Sequence, residues 1–424
     1  MANHALVDLP LAREPAEFAH EVVTVRSVSE FRALRQMWLA LTRDAEDASL
    51  CDSYEYCELA ASIAMQQGAA INVVLVRSGT RLDALWPFAI KRRGLLRVAG
   101  GLTSGTREEY GRPLVRRGSN DALWGAIAAA VRHVKADVLE VHWVPDGSVL
   151  HEHLKAMPQS RVFPLLPTPM RGHQGYFLDL RGLPSVEDFV RELSSPRRYD
   201  LRRYQKRLDA KGHTEFGWCT TAEETAQLVT WVFEQKRAWA AARGIKTDYL
   251  EDDRATEFFV RLAQRLDLAN TPLVSFVKVN GTPAAAVINL VGGDTVEYAI
   301  CTYDPAFKDC AVGFLMLRYL IEWSYAHGKN FDFRPVYADY KERWSTRQTW
   351  HETQLIFLNS RGHLLDLALL CTYSVRAARK LKREAIRALT RRRGRAAHTA
   401  GAAAAQPGGT QTHRDRDSVR TDIR

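Results

Sequence analysis

The stretch FDFRPVYADYKERW, residues 331–344, concentrates side chains that could move protons or hold negative charge. Tyr340 carries a hydroxyl able to protonate a leaving group, the task of a general acid. Lys341 follows it. Lysine titrates near about 10.4, so this side chain is a cation, suited to an oxyanion or a substrate phosphate rather than to base work. Asp332 sits between Phe331 and Phe333 on a strand-like run. Its carboxylate could orient an acceptor, act as a base, or pair with Arg334 at the strand end. The opposing reading of the whole stretch is a solvated loop anchored by Trp344.

Gly313 opens an apolar-periodic run, where a helix N-terminus would offer backbone N–H groups and a positive end to an anion. It reads equally as a plain helix-start glycine. Tyr303-Asp304-Pro305 could line an acceptor cleft, although Asp-Pro is foremost a turn starter. Arg197, Arg198, Arg202 and Arg203 form a stripe that could bind a phosphate-bearing acceptor, or a solvated helix face. His142, His151 and His153 lack the helical i,i+4 spacing of a metal pair and read as satisfied surface groups, so no metal is expected. Cys310, near Gly313 but with no histidine beside it, reads as a buried thiol.

These residues need elements to hold them. Ser27-x-x-Glu30 is a capping-box pattern, followed by Phe31, Leu34, Trp38 and Leu41 at helical spacing. INVVLVRSGTRLDALWPFAI reads as a hairpin turning at Ser78-Gly79, LLRVAGG as a third strand, Asp121–Val134 as a helix and VLEVHWVP (138–145) as a strand. About 200 residues later the order returns. PLVSFVKVNGTPAAAVINLV (272–291) turns at Asn280-Gly281, TVEYAICTYD is a third strand, Gly313–His327 a helix, and NFDFRP a strand. Five elements repeated in order indicate an internal duplication. Between the copies GYFLDL reads as a strand and Ser185-x-x-Asp188 as a helix cap. SSPRRYDLRRYQKRLDAKG is intensely basic, and two more helices follow, one capped by Thr220 or Thr221 and one near 251–268.

The chain has 424 residues, 46% hydrophobic and 25% charged, enough for two cores of domain size. Its net charge of +10 is local. From Arg361 onward there are 15 Lys and Arg against 5 Asp and Glu, which leaves the preceding 360 residues neutral and argues against a nucleic-acid groove across the body. No signal pattern opens the chain, no window suggests a spanning helix, and six scattered cysteines suit reduced thiols, so the cytoplasm is expected. HLLDLALLCTYSVRAARKLKREAIRALTRRR reads as a helix, apolar first and basic last, that could dock on anionic lipid or on a partner.

Hairpin, strand, helix and strand, preceded by two helices, resembles the acyl-CoA N-acyltransferase (GNAT) fold. Tyr303-Asp304-Pro305, Gly313, Phe331-Asp332-Phe333, Tyr340-Lys341 and Trp344 resemble the second half of the two-domain acetyltransferase-like proteins linked to cellulose and exopolysaccharide biosynthesis. The same architecture is similar to the Fem-type aminoacyl transferases. The resemblance implies an α/β fold of tandem GNAT-like domains with mixed, mainly antiparallel sheets, plus a basic C-terminal helix and a disordered tail. Its parts are an arm at 1–22, a first, degenerate domain at 23–175, a catalytic second domain at 176–360, a basic helix at 361–395 and a tail at 396–424.

The function it implies is transfer of an acyl group, typically acetyl, from acyl-CoA to an amine or hydroxyl of a sugar or cell-envelope precursor. Tyr340, Lys341 and Asp332 would be catalytic. Lys308, Val312 and Gly313 would hold the acyl-CoA, and Tyr303, Asp304, Trp344, Arg198 and Arg202 the acceptor. KDCAVGF, with its single glycine, departs from the usual Arg/Gln-x-x-Gly-x-Gly/Ala pyrophosphate loop. Two other readings stand beside this one: an aminoacyl-tRNA-dependent transferase, and a non-catalytic accessory of a polysaccharide synthase tethered by its basic tail. Peripheral contact with the inner face of a membrane is a further expectation.

Overall fold

Near-continuous apolar runs build most of the central strands, as a sheet covered on both faces requires, and a computed structural model shows what they join. It describes residues 18–106, 109–185, 191 and 195–374. The strands are β1 (Phe18–Val25), β2 (Ala70–Ser78), β3 (Arg81–Arg93), β4 (Leu96–Gly101), β5 (Leu114–Val115), β6 (Val138–Pro145) and β7 (Gly172–Leu178) in the first half. The second half adds β8 (Thr214–Trp218), β9 (Val274–Val279), β10 (Thr282–Val291), β11 (Thr295–Tyr303), β12 (Asn330–Asp332) and β13 (Arg347–Phe357). All thirteen belong to one sheet, ordered β1-β2-β3-β4-β6-β13-β7-β12-β11-β10-β9-β8, with β5 paired to β3.

The duplicated order is visible in the pairing. β2 and β3 form an antiparallel hairpin, β4 adds antiparallel to β3, and β6 adds parallel to β4 after the helix Asp121–Val131. In the second half β9, β10, β11 and β12 repeat this around the helix Val312–Ala326. Asn280 and Gly281 both adopt positive φ, the backbone of a two-residue hairpin turn. Each half then gives its closing strand to the other. β7 pairs with β12, while β13 pairs with β6 and β7. The expected boundary at 175/176 therefore falls inside a strand, and the described residues up to Asp366 form one compact unit, with those from Leu367 in another.

Side chains alternate between two faces of the sheet. On one, Ile71, Val73 and Leu75 of β2 join Val274 and Phe276 of β9 in a core shared by both halves. The helices Arg35–Asp44 and Tyr54–Gln66 cover it from the first half, Ala222–Ala242 and Arg254–Ala263 from the second, and Tyr56 meets Phe258 at 4.8 Å between ring centroids. Each such buried aromatic contributes roughly 1.5–3 kcal/mol by removal from water. On the other face Val74, Trp86 and Phe88 pack under Asp121–Val131, while Val277, Val287 and Phe331 pack under Val312–Ala326. The basic helix Ser195–Asp209 lays Leu201, Tyr204 and Leu208 on that second core, an i, i+3, i+7 stripe beneath its charged surface.

Local signals hold where they could be read. Ser27 accepts from the Glu30 N–H at 3.1 Å, and Thr221, rather than Thr220, caps Ala222–Ala242. The arm expected to run to residue 22 instead becomes β1 from Phe18, an edge strand on β2. The Ser185-x-x-Asp188 cap, the basic run past Ser374 and the tail lie outside the described residues.

The strand exchange depends on close approach at β7. A Cβ on Gly172 would lie 2.2 Å from the His351 carbonyl oxygen and 2.9 Å from the Glu352 Cα. Backbone cannot yield as a flexible side chain can. Gly172→Ala is expected to destabilise the fold by about 1–3 kcal/mol, the range of overpacking in a closed core. Urea denaturation measures it, and an unchanged midpoint would contradict the exchanged pairing.

Candidate active site

Three consecutive parallel pairs, Thr295 with Asn330, Val296 with Phe331 and Glu297 with Asp332, join β11 to β12. Beyond them β12 ends while β11 continues to Tyr303, so the sheet opens into a slot. Just past the last pair the register of β10 with β11 slips, leaving Ala299 between the partnered Tyr298 and Ile300. A bulge of this kind bends a strand and re-aims its side chains. Opposite residues of parallel neighbours share a face. Val296 and Phe331 therefore point into the core under Val312–Ala326, and Glu297 and Asp332 point the other way, towards the first half.

On that side lies a buried polar network. The Arg334 guanidinium forms an ion pair with Glu297, whose other oxygen accepts from the Ser49 hydroxyl at 2.5 Å. Asp332 accepts from the Tyr110 hydroxyl at 2.7 Å and from the Arg334 backbone N–H at 2.6 Å. The guanidinium also lies 4.8 Å from the Tyr110 ring centroid, and that ring faces His351 at 5.6 Å. Arg334 is only 2% exposed. Burial raises the Glu297 carboxyl above its usual range, against the lowering pull of Arg334. Burial, with Asp332 adding to it, pushes the Tyr110 phenol well up. Burial also drives His351 down to about 4, with Arg334 and Arg347 adding to that and the Thr349 carbonyl opposing it.

Arg334 and Val336 both have positive φ, +65° and +80°. A β-branched residue there is a genuine conformational outlier. Lys341 holds this loop: its ammonium donates to the carbonyls of Arg334 at 3.3 Å and Pro335 at 3.1 Å. The expected cation aimed at substrate is thus a cation engaged by backbone oxygens, because the short helix Asp339–Trp344 places it directly beside two carbonyls.

Tyr340 occupies the other side of the slot. Its ring lies 6.4 Å from Tyr298, 6.4 Å from Phe314 and 6.5 Å from Phe333. Phe314 belongs to the first turn of Val312–Ala326, so Tyr340 stands next to that helix N-terminus. The cap residue Ala311 is left-handed at φ +45°, and no side chain caps the helix. A Cβ on Gly313 would meet nothing within 4 Å. In the first half the matching helix is closed by its own Asn120, which accepts from the Leu123 N–H at 3.0 Å.

The remaining expected residues fall into three groups. Asp304 accepts from the Ala306 N–H at 2.8 Å and starts the turn Pro305–Cys310, as an Asp-Pro turn should, while Tyr303 is exposed at its entrance. Lys308 is exposed on the same turn, with the Arg207 guanidinium on the Asp309 carbonyl at 3.1 Å and Lys211 over Phe307. The Val312 and Trp344 side chains are buried in the core, where they anchor the two helices instead of lining the slot. Arg198 donates to the Arg191 carbonyl and Arg202 is exposed, both on Ser195–Asp209. Of the histidines, His151 is buried near Glu352 (3.6 Å), and His153 meets Asp121 at 2.8 Å on the first half's helix.

Sequence reasoning passed over Glu297, Tyr110, Ser49 and His351. Glu297 carried the same signal as Asp332, a carboxylate inside an alternating apolar strand. Tyr110 and Ser49 sit in irregular loops and reach the site only through the packing of one half on the other.

Residues 195–342 match the family model described as an acetyltransferase (GNAT) domain, so the second half carries a GNAT acetyltransferase domain. No curated protein matches the chain. Among solved structures it resembles FemX, at 12% identity and a TM-score of 0.57, covering 81% of this chain and 99% of that one. It also aligns with the C-terminal domain of a putative lysylphosphatidylglycerol synthetase from Agrobacterium fabrum, at 12% identity, 81% and 97% coverage and a TM-score of 0.45. A tandem GNAT protein from the clavulanic acid biosynthesis pathway aligns at 12% identity, 80% and 99% coverage and a TM-score of 0.40. The fold is that of a tandem GNAT-like α/β protein.

Two outcomes test the network. Arg334→Met strands the Glu297 carboxylate and is expected to cost about 3–5 kcal/mol, as for other broken buried pairs. Chemical denaturation reads it, and a loss below about 1 kcal/mol would show the pair to be solvated. His351, held neutral, contributes stability above its unfolded pKa of about 6.5 that is lost as pH falls towards 4. Melting temperatures from pH 7 to 4 should therefore fall less steeply in His351→Gln than in the parent chain, and parallel slopes would refute the assignment.

Proposed function

We propose that the second half transfers an acyl group from acyl-CoA to an amine. The observation that carries this reading is the placement of Tyr340 in the mouth of the β11–β12 slot, against the first turn of a helix that no side chain caps. The helix end offers backbone N–H groups and a positive dipole to a pyrophosphate. Lys308, Arg207 and Lys211 around the preceding turn add positive charge, which offsets the lack of a second glycine in KDCAVGF. Gly313 leaves room for a ligand to approach the backbone. The edge of β11 beyond Glu297 no longer pairs with β12 and faces the thioester oxygen as charge develops there.

The acceptor enters from the opposite face. Asp332 and Glu109, which accepts from the Tyr56 hydroxyl at 2.7 Å, add carboxylates on that side beyond the Glu297–Arg334 pair, which favours an amine over a hydroxyl. The amine gives its extra proton to solvent and attacks the thioester carbon as the neutral base. The C–S bond breaks, the Tyr340 hydroxyl donates its proton to the leaving thiolate, and the proton shed by the attacking nitrogen returns through solvent to the phenolate. Asp332, with both oxygens accepting hydrogen bonds, acts as a positioning residue for Tyr110 and Arg334. The first half, with its helix closed by Asn120, serves as scaffold. A sugar or exopolysaccharide precursor as the amine bearer rests on the sequence resemblance.

An aminoacyl-tRNA-dependent, Fem-type reaction is the second reading, favoured by the single-glycine loop and by the FemX-like fold. Calorimetry separates the two. Saturable heat with acetyl-CoA or a longer acyl-CoA supports the first, and silence across acyl-CoAs combined with binding of aminoacyl-tRNA supports the second. Tyr340→Phe is expected to lower kcat by about 10²–10⁴-fold while acyl-CoA affinity stays within about twofold. Unchanged turnover would remove Tyr340 from the chemistry.

A further inference from the structure

Away from the slot, the tip of the β3–β4 hairpin reads Lys91-Arg92-Arg93-Gly94-Leu95, and all five residues are exposed. Leu95 is 80% exposed, the most exposed large apolar side chain among the described residues. Arg361 donates to the Leu95 carbonyl at 2.9 Å, and Arg97 is exposed on the next strand. The tip sets one exposed leucine among cations, of which Arg93 pairs with Glu140 at 2.6 Å and Arg97 with Asp137 at 3.6 Å.

The C-terminal segment repeats the combination on its own. From residue 364 the chain is helical to the last described residue, with Leu364, Leu367, Leu370 and Tyr373 exposed and Leu367 at 59%. A helix apolar nearly all round is ordinarily covered. Ten Lys and Arg follow between residues 376 and 395, against a single acid, Glu384.

Charge decides what covers these residues. A second copy would bring one strongly basic run against another. The preceding 360 residues carry no net negative charge to hold the run. No described helix is long and apolar enough to cross a membrane. The apolar stretch 364–371 is about 12 Å long at about 1.5 Å per residue, against a hydrocarbon core of about 30 Å. It can lie in an interface but not span one.

We infer that this protein docks peripherally on an anionic lipid surface. Leu367 and Leu370 of the C-terminal segment enter the boundary between headgroups and acyl chains, and the Lys and Arg that follow them in the sequence meet lipid phosphates; the Leu95 tip, taken by itself, offers the same pairing of apolar side chain and cations. The inference is independent of the transferase reading.

Sedimentation of the full chain with vesicles tests it. Binding to phosphatidylcholine vesicles containing about one-third phosphatidylglycerol should exceed binding to pure phosphatidylcholine by at least about tenfold, and should fall about tenfold between about 0.1 and 0.5 M salt. Arg391→Glu, Arg392→Glu and Arg393→Glu together should lower it about tenfold. Leu367→Asp with Leu370→Asp should weaken it severalfold without changing the melting curve, since both side chains are exposed. Equal binding to both vesicle types, full binding by the leucine variant, or displacement from vesicles by a short single-stranded RNA would each overturn the proposal.

Discussion

The ion pair between Arg334 and Glu297 is the constraint around which the site is arranged. Two full charges in so dry a place are tolerated only when each is paired and hydrogen-bonded. Arg334 meets Glu297 by its guanidinium, Asp332 by its backbone N–H and the Tyr110 ring by its face. Those demands explain the left-handed backbone at residue 334. They also explain why Lys341 must hold the carbonyls that follow. The partners Ser49 and Tyr110 come from the first half, so the geometry of a slot in the second half is set by loops of the first.

The same dependence appears at the scale of the sheet. β13 stands between β6 and β7, and β7 between β13 and β12, so each half takes from the other the strand that closes its parallel pair. The shared core places Phe258 and Phe259 of one half beside Tyr56 and Leu59 of the other. Gly292 closes the join from a third direction. A Cβ there would lie 2.3 Å from the Ala48 carbonyl oxygen, and the neighbouring Gly293 N–H donates to that oxygen at 2.8 Å. Duplication has thus given one protein whose halves resemble each other but are no longer separable. One half keeps an uncapped helix at its slot, and the other closes the equivalent helix with Asn120.

What the sequence revealed follows from range. The Asn280-Gly281 turn, the Ser27 cap and the β2–β3 hairpin are decided within a few residues, and they were legible. β13 was not: in RQTWHETQLIF the polar His351 and Gln354 are buried by neighbours about 200 residues away, which breaks any simple alternation. Asp339–Trp344 has six residues, too short for a periodic signal, so it read as a loop. Tyr340, Gly313 and Asp332 were singled out by type and position, and the fold brings them around the end of the β11–β12 pair. Lys341 was recognisable as a cation, but its partners are backbone oxygens that no composition reveals.

The exchanged strands bear on how the chain is made. Translation proceeds from the N-terminus, and β6 is finished at Pro145 while its partner β13 begins at Arg347. At about 5–20 residues per second, the ribosome takes about 10–40 s to supply the missing strand. Throughout that interval the nascent first half presents an unpaired sheet edge, the kind of surface that recruits other chains. A tandem repeat built this way gains a joint site, but it gives up the option of completing one domain before the next is synthesised.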